Sequence, residues 1–317
     1  MTLKQVALAL CLGTLVPVHA LAQAIDDPEA TGGEALVVNA RLPGPAWWKV
    51  SDDDTTIYLL GLPPSLPKGT SWDRSVLENR LDGAFAYLKP PTAKAGLGDI
   101  PAMLRLRKSL LAEQPLDERS PALAARLSRA WADADPKSPK AWRDWKPLGA
   151  ALFLAGKAAK KAALEDNEPE KSIERLARKK RVKVRAAATY KALPIMNAVA
   201  RQHNETAGLV CLEEVLDDID KGAEVDRRAA RAWAQGQVSA ALAARRGSDR
   251  CSLLLPGVPD FIRQATADEV NALSEALKTP GHAVAVYSLR GLVVENGVLD
   301  QLKARGFRVK TPADLTP

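Results

Sequence analysis

Residues 55–67, Thr-Thr-Ile-Tyr-Leu-Leu-Gly-Leu-Pro-Pro-Ser-Leu-Pro, constrain the fold more than any other part of the sequence. Residues 57–60 form a continuous apolar run with a β-branched and an aromatic side chain, which is too short for a helix and typical of a buried strand. Gly61 and the prolines after it then force a sharp turn. Many α/β proteins present an active-site loop in this way, so we expect a functional loop here.

Predicted strands and helices alternate along the rest of the chain. Further strands are predicted at 85–88, 182–184, 209–212, 283–287 and 307–309. Helices are predicted at 75–83, 171–180, 190–202, from 215, 225–246, 267–277 and 297–305, and in an Ala- and Leu-rich middle at 101–111, 121–134 and 138–163. This alternation predicts the α/β class: a mixed sheet flanked by helices, with a helical insertion at about 100–163.

Two parts of the chain share a strand-loop-helix pattern. In the first, the strand at 57–60 runs into Gly61, and in the second the strand at 283–287 runs into a turn at 288–291. We therefore predict two pseudo-repeated units that place two loops at one edge of the sheet.

The N-terminus has the pattern of a secretory signal peptide. Lys4 precedes an apolar run at 6–16, and Ala22-Gln23-Ala24 supplies small residues for cleavage after Ala24. The alternative is a membrane anchor, but the run is shorter than the ~20 residues that a span needs. We predict residues 1–24 as the signal, 25–41 as a linker and 42–317 as a single domain. With no further transmembrane segment, the mature protein is predicted to be periplasmic or secreted.

Two cysteines, Cys211 and Cys251, lie outside the predicted signal peptide. An even number of cysteines in an exported protein favours a disulfide. The alternative is two separate buried thiols.

The basic residues do not indicate a nucleic-acid partner, although the chain carries a net charge of +7. The densest cluster, 178–185, alternates with valine and lacks the aromatic side chains on which bases stack. It is predicted to be a solvated helix end. The same prediction of an exposed helix face applies to Arg227, Arg228, Arg231, Arg245 and Arg246.

Several short motifs, spread in order over 48–309, resemble those of the TraB/GumN family of Tiki-like, metal-dependent hydrolases. They are Trp48-Lys49-Val50-Ser51-Asp52 before the first turn, Leu212-Glu213 in the middle, and Gly281 to Val286, Leu292 to Leu299, Arg305-Gly306-Phe307 and Val309 near the end. The resemblance implies an α/β hydrolase or peptidase with a divalent metal at two Gly-x-x-His turns.

The residues at the family's expected metal positions depart from its pattern. Pro64 stands at the first expected histidine, Gly291 or Arg290 at the second, and Lys89 near the expected glutamate. Divalent metals need histidine, carboxylate or cysteine ligands, which none of these residues supplies. The sequence therefore predicts a pseudoenzyme with no metal ligand, no other cofactor and no catalytic residue.

The favoured hypothesis is a non-catalytic scaffold that binds a peptide, a saccharide or a protein partner in the cleft between the two turns. The candidate cleft residues, whose positive members indicate an anionic ligand, are Gly61, Pro64, Lys89, Glu213, Arg263, Arg290 and Glu295. A second hypothesis is an active hydrolase with Glu213 or Glu295 as the base, which requires a carboxylate of raised pKa in the cleft. A third is a structural or envelope-associated protein whose helical middle, 100–163, exposes an apolar partner surface.

Overall fold

A mixed β-sheet flanked by helices forms the centre of the protein, which confirms the predicted fold class. A computed structural model describes residues 27, 36–40, 42–165, 168–202 and 204–315. The strands are β1 (Trp47–Ser51), β2 (Thr55–Leu62), β3 (Leu66–Pro67), β4 (Ala86–Lys89), β5 (Thr92–Lys94), β6 (Leu164–Glu165), β7 (Val184–Ala186), β8 (Thr189–Lys191), β9 (Gly281–Ser288) and β10 (Arg308–Lys310). The main sheet has the order β10-β1-β2-β9-β4-β7, and β3 with β6 and β5 with β8 form two small ladders.

The helices lie between these strands in the chain. They are α1 (Ser75–Leu81), α2 (Ile100–Ser109), α3 (Leu116–Arg119), α4 (Pro121–Ala134), α5 (Pro147–Lys161), α6 (Glu168–Lys179), α7 (Ala192–Gln202), α8 (Glu205–Lys221), α9 (Glu224–Ala234), α10 (Val238–Ala241), α11 (Gly247–Leu253), α12 (Val258–Ala276), α13 (Leu289–Val293) and α14 (Val298–Ala304).

The centre of the sheet is parallel. β2 pairs with β9 from Thr55 opposite Gly281 to Leu62 opposite Ser288, and β4 lies parallel on the other side of β9. The apolar side chains of β2 and β9 are almost completely buried, as expected for parallel strands covered on both faces. Since the two strands end together, the loops after them lie at one edge of the sheet. The proposed pseudo-repeat of these units stays a prediction.

The two tryptophans of β1 anchor the antiparallel side of the sheet. Trp47 and Trp48 are 1% and 0% exposed, and the Trp48 Nε1 donates a hydrogen bond to the Leu36 carbonyl at 3.3 Å. Leu36 is itself buried in the sheet core. The last part of the predicted linker at 25–41 therefore belongs to the folded domain.

A second hydrophobic core lies among the helices beyond the sheet. It contains completely buried leucines from α4, α5 and α8, such as Leu127, Leu154 and Leu212. The predicted helical insertion at 100–163 supplies one part of this core, and the helices after β8 supply the other. The helical layer is therefore built from two separate segments of the chain.

Two predicted elements are wrong. The strand at 209–212 lies inside α8, because its apolar residues continue a helical stripe that packs on α5. The single helix at 225–246 is broken, since α9 ends at Ala234 and Gly236 adopts a φ of 71°.

The predicted disulfide is confirmed. The sulfur atoms of Cys211 in α8 and Cys251 in α11 lie at disulfide distance, and the two residues are 0% and 1% exposed. The bridge joins two helices of the second core.

Candidate functional site

The turn after β2 lies directly against the turn after β9. A Cβ atom added to Gly61 would lie 2.6 Å from Leu289 Cδ1 and 2.8 Å from Leu289 Cα, so no larger residue fits there. The Gly61 carbonyl accepts a hydrogen bond from Trp233 Nε1 at 2.7 Å. The glycine of the opening motif therefore allows the two turns to approach each other.

A small cleft opens where these two turns meet the helices. We call it the edge cleft; it has a volume of about 40 Å³ and is lined by Pro63, Pro64, Leu242, Arg245, Arg246, Asp249, Ser288, Leu289 and Arg290, among others. Pro64, Arg245 and Asp249 also line a second cavity, of about 130 Å³, next to α5 and α8. In open α/β sheets, ligands bind outside the carboxyl ends of the strands, which is where the edge cleft lies.

One carboxylate of the edge cleft sits among charged groups. Burial raises the pKa of the Asp249 carboxyl, while the positive charges of Arg246 and Arg290 oppose that rise and the negative charges of Asp218 and Asp27 add to it. A carboxyl of raised pKa in a cleft is a feature that functional sites share.

A buried ion pair fixes one wall of the edge cleft. Arg245 Nε donates to Asp226 Oδ2 at 2.7 Å, and the two side chains are 13% and 7% exposed. Arg245 Nη1 also donates to the Asp218 carbonyl at 2.7 Å. The prediction that Arg245 and Arg246 lie on an exposed helix face is therefore wrong, because both turn inward after the break at Gly236.

The turn after β9 is held by its own side chains. Ser288 Oγ accepts a hydrogen bond from the Gly291 backbone N–H at 3.3 Å, and the Arg290 guanidinium donates to the Leu242 carbonyl. These contacts keep a positive charge next to Asp249 in the edge cleft.

Two of the seven predicted site residues line the edge cleft. They are Pro64 and Arg290, while Gly61 lies against Leu289, another lining residue. The structure places the other four apart from it. Lys89 ends β4, Glu213 is exposed on α8, Arg263 pairs with Asp260 on α12, and Glu295 is exposed between α13 and α14.

The charge of Lys89 is neutralised by the protein itself. Lys89 Nζ lies 2.8 Å from Glu174 Oε2 of α6, and both side chains are about one-fifth exposed, at 21% and 20%. Burial also raises the pKa of Glu170 on the same helix, against the charge of Lys89. The positive charge at this strand end is therefore paired within the protein by a glutamate of α6.

The helical layer carries two features of its own. Side chains before and along α2 are between 47% and 88% exposed at helical spacing, as the third hypothesis requires: Leu97, Ile100, Met103 and Leu104. A cavity of about 550 Å³ opens beside Trp145, with Arg119, Lys146, Glu113 and Glu205 in its wall. It is larger than the edge cleft, but its charges balance and it lies in the second core, away from the strand ends.

The stretch that contains the main sheet and both turns matches a known protein family. The model of the TraB/PrgY/gumN family matches residues 46–311. The chain belongs to this family. The match runs from the residue before β1 into the last strand, and it includes both turns of the edge cleft. A search of curated proteins and a search of solved structures each returned no match.

Within the described ranges, no group of three or more His, Cys, Asp or Glu side chains is arranged to hold a metal ion. Among the helices of the described part of the chain, none is both long and apolar enough to cross a membrane.

Proposed function

We propose that this TraB/PrgY/gumN-family protein is an exported, non-catalytic scaffold that binds a carboxylate-bearing peptide in the edge cleft. The observation that carries the proposal is the position of two guanidinium groups, Arg246 and Arg290, beside Asp249 where the two turns meet. Guanidinium groups recognise carboxylates through charge-assisted, often bidentate hydrogen bonds. A peptide carboxylate is therefore the ligand that this charge pattern fits.

The donor chemistry of the edge cleft does not suit a divalent metal. Pro64 has no donor atom, and Arg290 and Arg246 bring positive charge to the place where a cation would sit. Asp218, whose charge also acts on Asp249, accepts from the Gly247 backbone N–H and from Lys221 at 3.3 Å. No step of the proposed function uses a metal.

The proposal of export rests on the signal-peptide pattern of residues 1–24, which lie outside the described residues. The cysteine pair supports it, because disulfides persist in oxidising compartments. The proposed location is the periplasm or the extracellular space.

Binding to a short acidic peptide tests the scaffold proposal. We expect acetyl-Asp-Asp-Asp-amide to bind in isothermal titration, and its Asn counterpart not to bind. R290Q should weaken binding by about 10- to 100-fold, because it removes a charged hydrogen-bond donor. The matched control is R308Q, since Arg308 is 62% exposed and pairs with the fully exposed Asp53. Equal binding of the Asn peptide, or unchanged binding by R290Q, would contradict the proposal.

The hydrolase hypothesis has one observation in its favour, although not at the residues first proposed for it. Glu213 and Glu295 are exposed, whereas Asp249 is the carboxylate of raised pKa in the edge cleft. If the protein is a hydrolase, D249N should abolish turnover of a fluorogenic peptide library, while E213Q and E295Q should retain it. The scaffold proposal instead expects no turnover by the parent protein.

The pKa of Asp249 also predicts how stability depends on pH. Because its folded pKa is raised, the folded state binds the proton more tightly than the unfolded chain does, and stability falls as pH rises above the unfolded value of about 4. The D249N substitution removes the titrating carboxyl and with it this loss of stability at higher pH. We therefore expect the melting temperature of D249N, relative to the parent, to increase between about pH 4 and pH 7 in calorimetry. A constant difference across this range would show that Asp249 does not titrate as described.

A further inference from the structure

The edge cleft is already in contact with a carboxylate from the N-terminal part of the chain. We propose that Asp27 is an intramolecular ligand of this cleft, and that an acidic peptide must displace it to bind. Arg246 Nη1 lies 2.7 Å from Asp27 Oδ2, and Arg246 Nη2 donates to Asp27 Oδ1 at 3.0 Å. This two-point contact is the geometry with which a guanidinium recognises a free carboxylate. The inference rests on the proposed function of the cleft.

The contact is shielded from water and local to the cleft. The side chains of Asp27 and Arg246 are 9% and 18% exposed, so they differ from the many exposed ion pairs of this surface. The Asp27 charge also acts on the Asp249 carboxyl, the acid that lines the edge cleft. Asp27 thus holds Arg246, one of the two guanidinium groups that the proposed function gives to the ligand.

Asp27 is close in sequence to a part of the chain that is anchored in the fold. Leu36 is buried in the sheet core, and the Ala40 backbone N–H donates to the Gly236 carbonyl at 2.9 Å. Nine residues beyond Asp27 therefore suffice to reach the anchored part of the chain. A contact made through so short a connection competes with a free ligand at an effective concentration in the millimolar range.

The sequence around Asp27 has the opposite charge to the cleft. Residues 25–40 contain Asp26, Asp27, Glu29 and Glu34 and no lysine or arginine. The cleft presents Arg245, Arg246 and Arg290. This complementarity favours an acidic ligand, and it defines the external ligand as an acidic peptide with a sequence like that of residues 25–31.

A peptide added in trans separates this inference from the proposed function. The probe is a fluorescein-labelled peptide of residues 25–31, Ile-Asp-Asp-Pro-Glu-Ala-Thr, measured by anisotropy against protein that begins at Ile25. D27N should bind it at least about tenfold more tightly than the parent, because the internal competitor is weakened. D53N is the matched control, since Asp53 is an exposed aspartate paired with Arg308 on the surface, and it should bind like the parent. The R246Q substitution should weaken binding of the probe both in the parent protein and in D27N.

Each result decides between the two proposals. If parent and D27N bind equally well, Asp27 does not compete and the inference is wrong, while the proposed function stands. If neither protein binds the probe, the proposed function fails and the inference with it. Should D27N fail to fold, hydrogen exchange on the parent replaces it. The unlabelled peptide of residues 25–31, acetylated at its N-terminus, should accelerate exchange of the Asp27 amide of the protein, and no acceleration would overturn the inference.

Discussion

Loss of the bridge between Cys211 and Cys251 is expected to lower the free energy of unfolding by about 4 kcal/mol. The cysteines are 40 positions apart, so the bridge closes a long loop in the unfolded chain and reduces its entropy. Both cysteines are also buried in the second core, where serine would bring an unpaired hydroxyl. The measurement is urea denaturation of the parent and of the doubly substituted C211A/C251A protein.

A reduced parent protein serves as the control for this prediction. It lacks the bridge but keeps both sulfur atoms, so it separates the bridge from the packing change. We expect reduction alone to account for most of the loss. If the reduced parent and the oxidised parent unfold within about 1 kcal/mol of each other, the bridge does not stabilise the fold as the loop-entropy argument requires.

The bridge also bears on the edge cleft, because Asp249 and Cys251 lie in the same short helix. α11 has only seven residues, and Cys251 ties it to α8. A helix of this length is marginal without tertiary contacts. Binding of the acidic peptide should therefore weaken along with stability when the bridge is reduced.

The sheet could be predicted because its signals are local. A continuous apolar run such as 57–60 or 283–287 can hardly be anything but a buried strand when a turn follows at once. Parallel pairing of β2 with β9 then brings the two following loops to one edge without any further information. This is why Pro64 and Arg290 were found among the cleft residues.

The error at 209–212 shows where such local signals fail. Leu-Val-Cys-Leu alone fits a strand, but in α8 the buried residues recur in adjacent pairs at helical spacing, namely Ala207 and Gly208, Cys211 and Leu212, and Val215 and Leu216. The decisive pattern therefore spans ten residues, and a four-residue window does not contain it. The partner surface on α5 is more than 50 residues away in the sequence.

The residues of the edge cleft that sequence reasoning missed depend on a contact between distant segments. The predicted helix at 225–246 is broken at Gly236. This residue has to be a glycine because a Cβ there would lie 2.4 Å from the Cβ of Ala40. After this break the chain turns Arg245 and Arg246 toward buried aspartates. The sequence signal for a turn here is short: residues Arg245 to Asp249 contain a glycine between charged residues. The contact of Lys89 is likewise non-local, since its partner Glu174 comes from a helix 85 positions away.

Replacement of Arg245 by alanine is expected to cost about 3–5 kcal/mol of unfolding free energy, because it leaves the Asp226 carboxylate buried without its partner. Asp226 is 7% exposed, and Arg245 reaches it with both its backbone N–H at 3.1 Å and its side chain. The measurement is chemical denaturation. The matched control is R227A on α9, whose pair with Glu224 is about half exposed, at 47% and 55%, and should contribute less than about 1 kcal/mol.

A double substitution separates stability from function at this wall of the cleft. R245M/D226L replaces the ion pair with apolar groups of similar size, and such replacements recover most or all of the stability that a single substitution loses. If the pair only stabilises the fold, this variant should bind the acidic peptide like the parent. However, Arg245 also donates to the Asp218 carbonyl and lines both the edge cleft and the second cavity. We therefore expect the R245M/D226L protein to fold stably but to bind the acidic peptide weakly. Parent-like binding would place the recognition of the carboxylate on Arg246 and Arg290 alone.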